Sequence, residues 1–342
     1  MLPYYLLILF PFYIECIRVS LHSGYNNVVK TKNSNISIVV FFVFWGVMLA
    51  CRSISCGIDL HNYKNFFYHI MDLQLSEVLV YYPTEQLYFV LNWIVANIYP
   101  DFRFFLVITS FLCVGVTGWF YQRESEFALL TILLFVTNVC FVMFYSGLRQ
   151  SLAMLFVVPA YYMTKQKRLV SFLLIVILAK FFHNSAIIML LLYPVFHMPL
   201  RSKHFNLVVS VIVLFFVFRA QLFSAIIPFF NEKYARHVVS ETGAYAVWIM
   251  FLLYLLYSFL VLDDSKMNKE SLGLRNILFL MTLIQCFASV HSLAMRMNYY
   301  FIMLFPIIIP KLIGYPKSNN ENLVQESKWG MVLFFICYFF IH

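Results

Sequence analysis

Long apolar runs recur from one end of the chain to the other, separated by short polar segments. A helix needs about 20 apolar residues to cross a bilayer. The runs are continuous, whereas barrel strands alternate between apolar and polar residues, so they favour helices. They lie at about 2–17, 36–51, 86–99, 104–121, 127–145, 150–163, 169–182, 184–197, 206–223, 245–262, 274–291, 295–313 and 329–342. This pattern predicts an all-α, polytopic transmembrane bundle, forming one domain over residues 1–342.

Composition excludes a water-soluble fold. Hydrophobic residues make up 63% of the chain and charged residues only 11%, whereas a soluble domain has about 25% charged residues. Aromatic residues make up 20%. In a membrane protein we attribute them to packing against lipid and not to sugar stacking.

The formal net charge of +9 comes from basic residues in short loops. Such residues orient membrane proteins with their basic loops in the cytoplasm, so we expect no nucleic-acid partner. The clusters are Arg18–Lys30–Lys32, Lys165–Lys167–Arg168, Arg201–Lys203, Lys266–Lys269 and Lys311–Lys317–Lys328. All five are predicted to be cytoplasmic and to serve only as anchors.

Neighbouring cytoplasmic loops must be separated by an even number of crossings. Five runs lie between residues 32 and 165, which is one too many. The run 86–99 is about 21 Å long as a helix and carries Asn92, Trp93 and Asn97. We therefore predict an interfacial helix there, on the outer surface, and about twelve crossings in total.

The same rule predicts two tight pairs of spans, within 127–163 and 169–197. The second stretch could be one tilted helix of about 43 Å, but its basic flanks favour an out-and-back pair. The outer loops are then the long ones, at about 52–85 and 224–244.

With this topology, unusual polar residues gather at the outer side. They are Asp59, Glu85, Arg149, His183, His291 and Arg296. Ionisable groups at membrane depth are costly and suggest function by default.

Arg149 follows Ser146 and Gly147, which suggest a helix break. An arginine beside a helix start is suited to bind an anion, although it could also reach to the interface as an anchor. Arg296 opens a later run and is either a similar anchor or a second prong of a diphosphate clamp.

His183 shares a helix face with Lys180, and it is either a hydrogen-bonded structural residue or a catalytic one. Asp59 and Glu85 are the candidate acids, since glycosyl transfer needs a base near a sugar hydroxyl. Alternatively Asp59 is a solvated loop acid, and Glu85 serves only a helix capped by Thr84. No cysteine pair has the spacing of metal ligands, and no phosphate- or dinucleotide-binding motif is present.

Two segments carry a family resemblance: Phe144-Tyr-Ser-Gly-Leu-Arg-Gln-Ser-Leu-Ala153 and Leu178-Ala-Lys-Phe-Phe-His-Asn-Ser-Ala-Ile187. With the basic turn between them, they resemble the EpsG family of exopolysaccharide proteins, which is similar to Wzy-type O-antigen and capsule polymerases. Weaker landmarks are Gly57-Ile-Asp59, Glu85 and Arg296-Met-Asn-Tyr-Tyr-Phe301. Lys180 departs from the small or polar residue that the pattern expects.

The resemblance implies a GT-C-like glycosyltransferase of the bacterial cytoplasmic membrane, with its active face periplasmic or extracellular. Its substrates, donor and acceptor, would be repeats linked to undecaprenyl diphosphate, and a chain-length regulator and a flippase would be its partners. Arg149, Arg296, His291 and Lys180 would bind the diphosphate, and Asp59, Glu85 or His183 would be the base. One displacement implies inversion, without a metal or other cofactor.

Two other functions compete with this one. A transporter or flippase for lipid-linked sugar would also bind diphosphate, but should carry polar groups along a path through the membrane. An acyltransferase acting through His183 should place that residue on the cytoplasmic side, where the acyl donor lies.

Overall fold

A computed structural model of the protein describes residues 36–226 and 244–317, together with the isolated positions 9, 13, 330 and 331. Several predicted features lie outside the described residues: the runs 2–17 and 329–342 beyond these isolated positions, most of the loop 224–244, and Arg18, Lys30, Lys32 and Lys328. Within the described ranges the regular structure is helical, apart from a single bridge between Leu262 and Pro316. The all-α prediction is confirmed for this part of the chain.

The α-helices of the described ranges follow one another with short connections. In chain order they are α1 (Ile36–Ala50), α2 (Leu60–Met71), α3 (Leu75–Tyr81), α4 (Gln86–Ile98), α5 (Phe102–Glu124), α6 (Ala128–Val136), α7 (Val139–Ser146), α8 (Leu148–Met154), α9 (Val157–Lys165), α10 (Leu169–Phe182), α11 (Leu192–Phe196), α12 (Phe205–Val217), α13 (Arg219–Ile226), α14 (Ala244–Leu260), α15 (Lys269–Cys286), α16 (Ser292–Ile302) and α17 (Phe305–Leu312). Short 3-10 segments lie at Ile54–Cys56, Asn184–Leu191, Ser202–His204 and Phe287–Ser289.

Several helices begin at residues that satisfy the free N–H groups of a first turn. Asp101 accepts from the Arg103 N–H at the start of α5. Asn138 accepts from the Cys140 N–H at the start of α7, and Asn268 caps α15. Such caps stabilise a helix start by about 1 kcal/mol, and Asn138 thereby breaks an apolar run that looks continuous in the sequence.

Two helices of the described ranges are long and apolar enough to cross a membrane: α5, and α15 extended to Ser289. Three bent pairs also qualify if each is one span, which gives up to five. The bends are 61° between α6 and α7, 77° between α12 and α13, and 55° between α16 and α17. The predicted count of about twelve is not confirmed, because many apolar runs fold as short or broken helices.

The segment 52–99 packs against the beginning of α5. Phe67 of α2 contacts Phe102, and Tyr88 of α4 contacts Phe105, with ring centroids 5.9 and 6.1 Å apart. Since α4 ends at Ile98, shortly before α5 begins, both helices meet at this end of the bundle. A short helix is thus present where the interfacial one was predicted, and its place at the membrane surface remains a prediction.

The segment 169–197 is a hairpin. His183, after α10, contacts Glu85, whereas His197, after α11, lies 3.0 Å from the Thr164 carbonyl at the other end of the bundle. Between these ends, the rings of Phe172 and Tyr193 contact each other with their centroids 5.4 Å apart. The single tilted helix is therefore excluded and the hairpin course of the chain is confirmed, whereas the crossing of the membrane by both arms stays a prediction.

The opposite end of the bundle holds a lysine–glutamate network formed by Glu124, Lys165, Glu270 and Lys311. Lys311 Nζ lies 2.5 Å from both carboxylates, and Lys165 Nζ lies 2.8 Å from Glu270. Lys311 and Glu124 are buried. The prediction that basic residues on this side serve only as anchors was wrong: these two lysines join α5, α9, α15 and α17.

Aromatic rings pack mainly against one another in the interior. Trp45, Phe41 and Phe135 are fully buried, with the Trp45 and Phe135 centroids 5.1 Å apart. The large apolar side chains that face outward are mostly aliphatic. The attribution of the aromatic content to lipid contact was therefore wrong, because ring pairs gain edge-to-face attraction when packed together.

Candidate active site

Glu85 lies at the centre of a buried polar group. It occupies the residue before α4, where its side chain makes no capping hydrogen bond, and it is 6% exposed. Its Oε2 accepts a hydrogen bond from Arg149 at 2.6 Å. Its Oε1 is 2.5 Å from His183 Nδ1 and accepts from the Asn184 backbone N–H at 3.0 Å. Three distant segments thus meet on one carboxylate, and the interpretation of Glu85 as a mere helix-end charge is wrong.

The backbone of Glu85 adopts a conformation that is uncommon for its residue type. Its φ of 57° and ψ of 37° lie in the left-handed region, which favours glycine. Such a conformation costs about 1–3 kcal/mol and persists where surrounding contacts hold it, often at functional sites. The contacts with Arg149, His183 and Asn184 are what hold it here.

Arg149 follows a helix break, as predicted. Gly147 ends α7 and precedes α8, which starts at Leu148. The Arg149 guanidinium lies over the Tyr63 ring, 5.6 Å from its centroid, and its side chain is 32% exposed. The Arg149 side chain thus contacts the buried Glu85 carboxylate and is also exposed at the surface.

The loop that carries Asp59 packs on the segment before Arg149. At Gly57 a Cβ atom would lie 2.7 Å from the Tyr145 carbonyl oxygen, so only glycine fits. Asp59 is partly exposed, and its side chain has no hydrogen bond or ion pair with any described residue. It precedes by one turn the Tyr63 ring that supports Arg149, so it lies beside the Glu85 group but not in it.

Electrostatics keep Glu85 ionised. Burial by itself would raise the pKa of the Glu85 carboxyl. The hydrogen bond from His183 and the charges of His183 and Arg149 oppose it and bring the pKa to about 2. Glu85 is therefore a carboxylate at neutral pH and a weak base.

Arg296 lies at the same end of the molecule. Its carbonyl oxygen accepts from Gln150 Nε2 at 2.5 Å, which fixes α16 beside the residue that follows Arg149. One turn later, Tyr300 bonds Ser185 at 3.0 Å, next to Asn184. The Arg296 side chain is exposed and has no ion pair with a described residue, so its charge is free to meet an anion.

Lys180 makes no contact with the Glu85 group among the described residues, and His291 contacts Leu293 and Phe223. His291 is buried, accepts the Leu293 N–H at the start of α16, and stacks on Phe223 at 5.4 Å. Lys180 is exposed in the last turn of α10 and pairs with no described carboxylate.

Comparison with known proteins adds the family. The profile of the EpsG family matches residues 35–342, which is nearly the whole chain. The chain belongs to the EpsG family. This is a family of Wzy-type polymerase-like proteins, so the sequence resemblance is confirmed, and with the apolar helices it makes the chain an integral membrane protein. No curated protein and no solved structure matches the chain.

In this EpsG-family chain the structure adds partners that the sequence did not reveal. Tyr63 supports Arg149, and the Asn184 backbone binds Glu85. Tyr63 could have been found, because it lies one helical turn after Asp59. A backbone N–H carries no sequence signal, so the role of Asn184 could not.

Proposed function

We propose that this protein is a polysaccharide polymerase. It would transfer a growing glycan from undecaprenyl diphosphate onto a lipid-linked repeat, at the outer face of the bacterial cytoplasmic membrane. Membership of the EpsG family supports the polymerase class. The observation that carries the proposal is the convergence of Arg149 and His183 on Glu85.

The positively charged side chains at the Glu85 end of the bundle suit a dianionic diphosphate. Arg149 and Arg296 supply two guanidinium groups, and the hydrogen bond from Gln150 to the Arg296 carbonyl joins the two helices that carry them. Lys180 adds an exposed charge three residues before His183. His291 would act as a positioning residue, because it caps the helix that carries Arg296. Fixed cations stabilise the charge that develops on the leaving diphosphate, and a metal ion is then not required.

His183 is the base that the geometry favours. With Nδ1–H donated to Glu85, its Nε2 is left with the lone pair that accepts a proton. Glu85 would orient the ring and stabilise the imidazolium, as a carboxylate does in other histidine dyads. Asp59 is the alternative base, since its carboxylate has no described partner.

The reaction needs one displacement. The acceptor hydroxyl oxygen attacks the anomeric carbon while the bond from that carbon to the diphosphate oxygen breaks. Nε2 of His183 takes the hydroxyl proton. The diphosphate oxygen leaves with the bonding electron pair, and Arg149 and Arg296 stabilise its charge. A single displacement inverts the anomeric configuration, which makes the enzyme an inverting glycosyltransferase.

A GT-C-like architecture of about twelve crossings belongs to this proposal. The Glu85 end would face the periplasm or exterior, with α4 lying along the membrane surface. A flippase would deliver the repeats and a chain-length regulator would act on the product.

Glycan analysis of a deletion strain tests the function. Single-repeat glycan without polymer supports the polymerase. Loss of all surface glycan would instead indicate the competing flippase.

Arg149 variants test the site. Arg149→Ala should lower polymer formation by about 100-fold or more, because a fixed charge is lost from the leaving group. Arg149→Lys should retain part of the activity, since it keeps the charge but not the planar fork. Full polymer from normally expressed Arg149→Ala protein would rule out the clamp.

A further inference from the structure

Glu85 and a diphosphate would compete for the same charge. Arg149 donates through its NH1 to Glu85 Oε2 at 2.6 Å, so the guanidinium already has a carboxylate partner. A diphosphate that binds Arg149 must share or replace that partner. The geometry of Glu85 indicates which of these occurs.

We propose that Glu85 is a displaceable counter-anion: the diphosphate of the incoming donor replaces Glu85 as the partner of Arg149, and Glu85 then keeps only its contacts with His183 and Asn184. This inference rests on the proposed function for the identity of the diphosphate. The competition itself depends only on the geometry of Glu85 and Arg149.

The two carboxylate oxygens of Glu85 have different partners. Oε2 bonds Arg149, whereas Oε1 holds both His183 Nδ1 and the Asn184 backbone N–H. Losing Arg149 therefore removes one contact and leaves two charge-assisted or backbone contacts in place. Glu85 stays fixed next to His183 after the exchange, so no buried carboxylate is left without a partner.

Arg149 is the more exposed side of the pair. Its side chain is 32% exposed, whereas that of Glu85 is 6% exposed. An anion arriving from the surface thus meets the guanidinium before it can reach the carboxylate. The Tyr63 face supports the guanidinium throughout, because the ring attracts the cation whichever anion the cation binds.

The exchange would couple donor binding to catalysis. While Arg149 holds Glu85, the carboxylate is shared between the Arg149 guanidinium and the Nδ1–H of His183. Once the diphosphate holds Arg149, the full charge of Glu85 is available to stabilise a protonated His183. The acceptor hydroxyl would therefore be activated when the donor is in place.

Pyrophosphate binding to purified full-length protein in nanodiscs, measured by calorimetry at low salt, tests this inference. Glu85→Gln should bind inorganic pyrophosphate about 5- to 10-fold more tightly than the wild type, because the competing anion is gone. Glu85→Gly should do the same, and glycine tolerates the φ of 57° at this position. Arg149→Gln should bind at least about 10-fold more weakly.

Asp72→Asn is the matched control. Asp72 is an exposed acid of the same outer segment, and its side chain has no partner among the described residues. This variant removes the same formal charge, so its pyrophosphate affinity should stay within about twofold of the wild type.

The outcomes separate this inference from the proposed function. Unchanged or weaker binding by both Glu85 variants would overturn the exchange, whatever glycan the protein makes. Unchanged binding by Arg149→Gln would overturn it as well. Tighter binding by the Glu85 variants, with no polymer from the wild type, would support the exchange while rejecting the polymerase.

Discussion

At the scale of single residues, Glu85 combines an unfavourable backbone conformation and burial with favourable contacts to distant parts of the chain. Its left-handed backbone and its burial are both unfavourable on their own. Contacts from Arg149, His183 and Asn184 offset them. A residue that is costly locally and held by two distant segments is a candidate functional residue, which supports its place in the proposed site.

The contribution of Glu85 to stability should depend on pH. Its folded pKa of about 2 lies below the reference value of 4.5, so stability from this group is present above pH 4.5 and is lost as pH falls towards 2. At neutral pH it amounts to about 3 kcal/mol. The thermal midpoint of Glu85→Gln should lie well below that of the wild type at pH 7, and the gap should narrow at pH 3.

The comparison needs a second acid that makes no such contacts. Asp72→Asn removes such an acid, and its thermal midpoint at pH 7 should stay close to that of the wild type. If the difference in thermal midpoint between Glu85→Gln and the wild type stays constant from pH 7 to pH 3, the ion pair does not stabilise the fold.

At the scale of elements, the site depends on how a loop meets a helix break. The loop at Gly57 packs against the backbone of Tyr145 and Ser146, just before the break that presents Arg149. The loop is thus in direct contact with the segment that carries Arg149. The loop therefore positions the arginine without touching it.

Gly57→Ala tests this packing. The new methyl group would lie 2.7 Å from the Tyr145 carbonyl oxygen, so we expect a loss of about 1–3 kcal/mol in stability and a fall in polymer length. Gly115→Ala is the matched control, because a Cβ there meets nothing within 4 Å in the middle of α5. That variant should be neutral or stabilised by about 0.5–1 kcal/mol. Equal midpoints for the two variants would refute the close contact.

The lysine–glutamate network makes a second prediction at this scale. Lys311→Met leaves the buried Glu124 without its nearest cation, so we expect a loss of about 3–5 kcal/mol, read as a lower thermal midpoint. Lys266→Met removes an exposed lysine 4.0 Å from Asp263 and should cost about 1 kcal/mol or less. Adding Glu124→Gln to Lys311→Met should recover part of the loss. A Lys311 effect no larger than that of Lys266 would mean that the network is not structural.

At the scale of the whole molecule, the bundle has polar groups at both ends. The network at one end pairs two lysines with two glutamates. At the other end Arg296 and Lys180 are exposed and lack a carboxylate partner among the described residues. The polar residues are thus less one-sided than the sequence suggested, because both ends of the bundle carry charged groups.

Reporter fusions test which end of the bundle faces the cytoplasm. A reporter after residue 166 should be cytoplasmic, because that turn is basic, and a reporter after residue 184 should be external. The hairpin geometry requires the two to lie at opposite ends of the bundle. An external reporter at 166 would invert the molecule and place the Glu85 group in the cytoplasm.

Much of this protein could be predicted from its sequence. Apolar runs require helices in lipid, because the backbone has no other partner there. The motifs around Arg149 and His183 identified the EpsG family, and Gly147 predicted the helix break before Arg149. Each of these depends on residues close together in the chain, where spacing alone carries the information.

Only the tertiary structure decided which distant residues meet. Nothing in the sequence shows that Glu85 lies between Arg149 and His183, that His291 caps a helix, or that Lys311 is buried between two glutamates. The apolar runs also hid the bends that divide several of them. The reason is physical. Hydrophobicity determines that these segments enter the membrane, whereas packing and charge pairing between segments determine where each polar group lies in the folded protein.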